Sequence, residues 1–147
     1  MDIILTAKLK LHTTPDQFRA LRQTQLAYRD ALNYVSRYAF EHGKISNKVG
    51  LQAGTYLDIR SRFGLPAQMA CSVPRQVGAT YKALWTKVKA SAAARTAGRT
   101  KKRYRGLDQA PKYLSPTLTY QLGHDRIGLS PAASHGASVP VVRRVGA

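Results

Sequence analysis

The stretch that decides the fold is TTPDQFRALRQTQLAYRDALNYVSRYAFEHG, residues 13–43. Its opening, Thr14-Pro15-Asp16-Gln17, combines a capping hydroxyl, a proline suited to the first turn, an acid on the positive end of the helix dipole and the glutamine of a capping box. Phe18, Leu21, Gln25, Tyr28, Leu32, Val35 and Ala39 then recur at spacings of three and four, a stripe apolar except at Gln25, until Gly43 stops it. The pattern predicts a long helix with one face in a core. Arg19, Arg22, Arg29 and Arg37 fall on its flank, as solvated charge or as nucleic-acid contacts.

On the N-terminal side, residues 5–12 alternate, with Leu5, Ala7, Leu9 and Leu11 opposite Thr6, Lys8, Lys10 and His12. This predicts a half-buried strand. Lys8 and Lys10 on its polar face are either ordinary solvated lysines or a phosphate-facing edge.

On the C-terminal side, Val49, Tyr56 and Ile59 mark a second helix over residues 48–63, ended by Gly64 and weakened by Gly50 and Gly54. Leu65-Pro66 restarts the chain, and Ser72-Val73-Pro74 places a hydroxyl and a proline where another helix can enter. Residues 66–94 therefore read as one kinked helix or two. Within them Val77, Tyr81, Leu84 and Val88 form a core-facing stripe, and Arg75, Lys82 and Lys89 fall on the opposite face. Trp85 borders the stripe, a position for core or interface before base stacking.

Charge sets the function class. The chain has 24 Lys and Arg against 7 Asp and Glu, a formal net charge of +17 in 147 residues. Residues 59–107 contain no acid at all. A one-signed interval of this length is the footprint expected for a phosphate backbone or an anionic surface. Hydrophobic residues make up 44% of the chain, enough for a packed core.

From residue 90 to 106 the composition turns to Ala, Ser, Thr, Gly and bases, and reads as a mobile basic connector. It ends in Arg99, Lys101, Lys102, Arg103, Tyr104 and Arg105, where an aromatic between arginines suits both phosphate pairing and base stacking. Residues 117–129 predict a hairpin turning at Gly123-His124-Asp125. Residues 130–147 lack periodicity and read as a disordered tail.

Chemistry is poorly supplied. The acids Asp2, Asp16, Asp30, Glu41, Asp58, Asp108 and Asp125 are scattered singly, and His12, His42, His124 and His135 share no metal spacing. Cys71 stands alone, which fits a reducing, cytoplasmic setting. There is no phosphate-binding glycine loop and no apolar run near the ~18 residues of a membrane span. No catalytic residue, cofactor, metal or membrane partner is expected.

The order of parts supports a resemblance. Lys8-Leu9-Lys10-Leu11 precedes Thr13-Thr14-Pro15-Asp16-Gln17 and a long helix with Tyr28 and Asn33. Gly64-Leu65-Pro66-Ala67-Gln68-Met69-Ala70, Ala79-Thr80-Tyr81-Lys82-Ala83-Leu84 and the basic Tyr104-Arg105 stretch follow. Over residues 3–129 this resembles the N-terminal portion of TnpB proteins, the OrfB-type accessory transposases related to type V CRISPR effectors.

The resemblance implies an α+β fold, a small and here incomplete β-barrel interrupted by a helical recognition insert. Residues 1–12 would supply the first barrel strand, 13–97 the helical insert, 98–129 the basic connector and hairpin, and 130–147 an aberrant tail. It also implies partners, a guide-type RNA and target DNA. The family cuts with a RuvC-like domain and carries a zinc ribbon. Neither is found in this sequence, so binding without cleavage is expected.

Gln68, Ser72, Arg75 and Gln76 would face the DNA motif. Lys8, Lys10, Lys82, Lys89, Arg99, Lys101, Lys102, Arg103 and Arg105 would serve the backbone, and Tyr104 would stack. The alternative function is a stand-alone basic RNA-binding protein of a ribosome-associated kind.

Overall fold

The computed structural model describes residue 10 and residues 12–115. They form three helices, α1 (Pro15–Glu41), α2 (Lys48–Phe63) and α3 (Ala67–Thr96), each packed on the other two. The expected α+β class is thereby corrected: among the described residues there is no strand, sheet or barrel, and the unit is all-helical. Most of the strand predicted over 5–12, the hairpin over 117–129 and the tail lie outside the described residues. Lys10 and His12 are irregular and exposed.

Local chemistry places the helix ends. The Gln17 N–H donates to Thr14 Oγ1 at 3.3 Å and the Thr14 N–H to Gln17 Oε1 at 3.0 Å, completing the capping box. Past Glu41 the chain reverses through two left-handed residues, Gly43 (φ 87°) and Lys44 (φ 59°), and the Ile45 N–H returns to the Ala39 carbonyl at 3.1 Å. Asn47 caps α2 by accepting from the Val49 N–H, and Gly64 ends it at φ 61°.

α3 is one helix, not two. It runs through Pro74, whose ring is fully buried, and Ser72 donates to the Gln68 carbonyl at 2.9 Å within the helix instead of opening a new one. Burying the ring offsets the hydrogen bond that proline cannot make. The helix also continues through residues 90–96, where the composition suggested a connector.

The core joins Tyr28, Leu32 and Val35 of α1, Leu51 and Ile59 of α2, and Val73, Val77 and Tyr81 of α3, all at most 1% exposed. Each such side chain contributes roughly 1.5–3 kcal/mol by leaving water. The α1 stripe is covered only in part, since Phe18 and Leu21 remain 61% and 44% exposed.

Beyond α3 the chain folds back and packs. Leu107 is buried against the core, Ser36 Oγ donates to the Pro111 carbonyl at 2.7 Å, and Asn33 holds Tyr113 by its backbone. Asn33 Nδ2 donates to the Tyr113 carbonyl at 3.0 Å and the Tyr113 N–H to Asn33 Oδ1 at 2.8 Å. The Asn33 amide does for the Tyr113 main chain what a neighbouring strand does in a sheet. The Tyr113 hydroxyl adds a bond to Thr80 Oγ1 at 2.8 Å.

Two outcomes are expected. In Gly78→Ala the added Cβ would lie 2.9 Å from the Ser46 carbonyl oxygen, so the variant should lose about 1–3 kcal/mol in denaturant titration. Asn33→Ala should release the segment around Tyr113, read as faster tryptic cleavage at Lys112 with the three helices retained by circular dichroism.

Candidate nucleic-acid interface

α3 carries no acid, and its outward face carries Arg75, Lys82 and Lys89 at seven-residue spacing. At a rise of about 1.5 Å per residue these cations stand about 10.5 Å apart and span about 21 Å. That equals the rise of roughly six nucleotides of one duplex strand. Between them Ala79 keeps the floor low.

The opposite wall comes from the turn between α1 and α2. Because Gly78 has no side chain, the Ser46 carbonyl sits directly on α3, and Trp85 Nε1–H donates to the Lys44 carbonyl at 3.0 Å. Ser46, Asn47 and Lys48 are thereby brought beside Arg75, Lys82 and Lys89 around an open groove of about 830 Å³. Thr86 and the edge of Trp85 complete the lining. Among the described residues the groove carries four cations, polar hydrogen-bonding groups and no carboxylate, the composition that phosphate oxygens require.

Four of the described acids have partners outside the groove. Asp16 pairs with Arg19 at 3.1 Å, Asp30 with its neighbour Arg29 at 2.9 Å and Asp108 with Arg103, while Asp58 accepts from the Tyr34 hydroxyl at 2.5 Å. No group of three or more metal-ligating side chains occurs among the described residues. Among them, too, no helix is long and apolar enough to cross a membrane.

The sequence-predicted residues thus separate. Arg75, Lys82 and Lys89 line the groove. Gln76 does not, because its Oε1 accepts from the buried Tyr28 hydroxyl at 3.0 Å, and Ser72 turns its hydroxyl onto its own helix. Gln68 is partly buried near the start of α3, outside the groove lining. Arg99, Lys101, Lys102 and Arg105 are exposed beyond α3, and Arg103 and Tyr104 line a separate, smaller pocket. Lys8 lies outside the described residues. Sequence reasoning missed Lys48, Ser46 and Asn47, whose only signal is their place in a short turn between two packed helices.

Comparison of the chain with family models, with curated proteins and with solved structures returns no match.

In the core and packed against it lies a set of tyrosines held neutral. Burial is the first cause that raises the phenol pKa of Tyr28, Tyr81 and Tyr113 above the ordinary 10.0, and Tyr113 beside Tyr28 adds to the shift of the latter. A raised folded-state pKa means that the folded protein holds these protons more tightly than the unfolded chain. The stability they contribute is complete below pH 10.0 and is lost as the pH rises through the raised values. Denaturant midpoints should therefore fall steeply above that pH, and less so in Tyr28→Phe.

Proposed function

We propose that this chain binds nucleic acid through its phosphate backbone, with the groove along α3 as the principal contact surface. The observation that carries the reading is that four cations from two separate elements converge on one groove whose described lining holds no acid, Lys48 from α2 with Arg75, Lys82 and Lys89 from α3. Ser46, Asn47 and Thr86 also line the groove, although Asn47 caps α2 and Thr86 donates to the Lys82 carbonyl of its own helix, so the cations carry the reading.

The wider reading is that the three helices are the recognition insert of a TnpB-like protein, gripping a guide-type RNA or its target DNA. It is supported by the order of a capped long helix, the Gly64-Leu65-Pro66 turn and a basic third helix. Within it the helix row fixes register on the backbone, and the exposed bases from Arg99 to Arg105 extend the contact. The activity proposed is binding, and cleavage has no part in it.

The test is an affinity series for RNA and DNA oligonucleotides of equal length across salt concentrations. Affinity should fall steeply and linearly on logarithmic axes, and the double variant Lys82→Ala, Lys89→Ala should reduce the slope by about 1.4–1.8. Arg19→Ala, which removes a charge paired with Asp16 far from the groove, should leave the slope nearly unchanged. Binding indifferent to salt would falsify the reading. RNA bound regardless of any matching DNA would favour a stand-alone RNA-binding protein over the TnpB-like one.

A further inference from the structure

On the far side of Trp85 from the groove lies a second pocket, of about 260 Å³. It lies between the last turns of α3, the turn after α1 and the returning segment 103–108. Its character differs from that of the groove. Trp85, Val88, Tyr104 and Leu107 give it aromatic and apolar walls, while Lys44, Arg95 and Arg103 supply cations and Asp108 a single carboxylate.

Two local features mark the pocket as more than a gap. Lys44 holds a left-handed backbone at φ 59°, a conformation that disfavours a side chain by roughly 1–2 kcal/mol and that glycine adopts freely. Gly43 stands beside it in the same region of conformational space, yet position 44 keeps a lysine, with its Nζ 5.1 Å from the centre of the Phe40 ring. Tyr104 is fixed from behind. Its N–H donates to Ser91 Oγ at 3.1 Å, and its ring lies over Gly106, where any Cβ would collide with it. The ring is left partly exposed on the pocket.

We infer that this pocket takes one unstacked nucleotide of a bound single strand, its base against Tyr104 and the apolar wall and its phosphate on Lys44 and Arg95. The inference rests on the nucleic-acid reading above and specifies the substrate as a strand with accessible bases. Asp108 sets the orientation. It holds Arg103 and repels phosphate from that side of the pocket, yet a carboxylate retains acceptor capacity for the amino edge of a base. Aromatic stacking with cations at the rim is the general means of holding unpaired bases.

The experiment compares two single strands of equal length on the full chain, one with bases and one abasic throughout. Both carry the same phosphates, so the groove should bind both. Trp85, the one tryptophan of the chain, lines the pocket and supplies the fluorescence signal. The base-bearing strand should bind about fivefold or more tightly than the abasic one and quench Trp85 further. Tyr104→Ala and Tyr104→Leu should both abolish that difference, whereas Tyr104→Phe should keep it. Lys44→Gly should weaken binding while holding or raising the thermal midpoint, an outcome opposite to that of a purely structural lysine.

Equal affinity for the two strands would overturn the inference. So would a preference for bases that survives both Tyr104→Ala and Tyr104→Leu, or a blunt duplex that binds as tightly and quenches Trp85 as much as the base-bearing strand. Salt-sensitive binding of the abasic strand alongside any of these results leaves the groove reading standing. Failure to bind either strand removes that reading and the pocket with it.

Discussion

The groove depends on how closely the turn after α1 can approach α3. That approach is set by a missing atom: with a hydrogen at Gly78 instead of a methyl group, the Ser46 carbonyl rests on the helix surface. Trp85, about two helical turns further along α3, then secures the same turn by donating to the Lys44 carbonyl. Together they bring Lys48 beside the α3 cations and form the partition between the groove and the smaller pocket. The charges repel one another, so the close seating of apolar and small residues beneath them must supply the stability that the charge pattern does not. The exposed ion pairs Asp16–Arg19, Arg29–Asp30 and Arg103–Asp108 contribute little, about 0–1 kcal/mol each.

Where the determinants are local, the sequence was a good guide. The capping box at Thr14 and Gln17, the stop at Gly64 and the core stripe through Tyr28, Leu32, Val35 and Ala39 appear as expected, because each follows from residues within a turn or two of one another. Val77 and Tyr81 are buried for the same reason. The basic ridge of Arg75, Lys82 and Lys89 was legible as well, since helical periodicity alone places it opposite the core.

Long-range pairing was not legible. Gln76 looked like a groove contact until Tyr28, 48 residues away, supplied its partner. Proline at position 74 left one kinked helix or two open, and the structure has one helix with the ring buried. The barrel expectation is corrected over the described residues, where the chain after α3 packs back on α1 through Asn33 and forms no strand. Lys48 could not be picked out because its role depends on the Gly78 approach, which no short-range pattern encodes.

The grip of Asn33 on Tyr113 has a consequence for how this chain can change over time. One amide side chain reads a carbonyl and an N–H together, and both belong to the main chain, so the contact is blind to which side chain stands at position 113, proline excepted. The returning segment is therefore free to drift at that point as far as this bond is concerned. Position 33 has no such freedom, since Asp would keep the bond from the N–H and set a negative oxygen against the carbonyl. Mutational tolerance is thus divided unevenly across a single contact, nearly all of it on the loop and almost none on the helix.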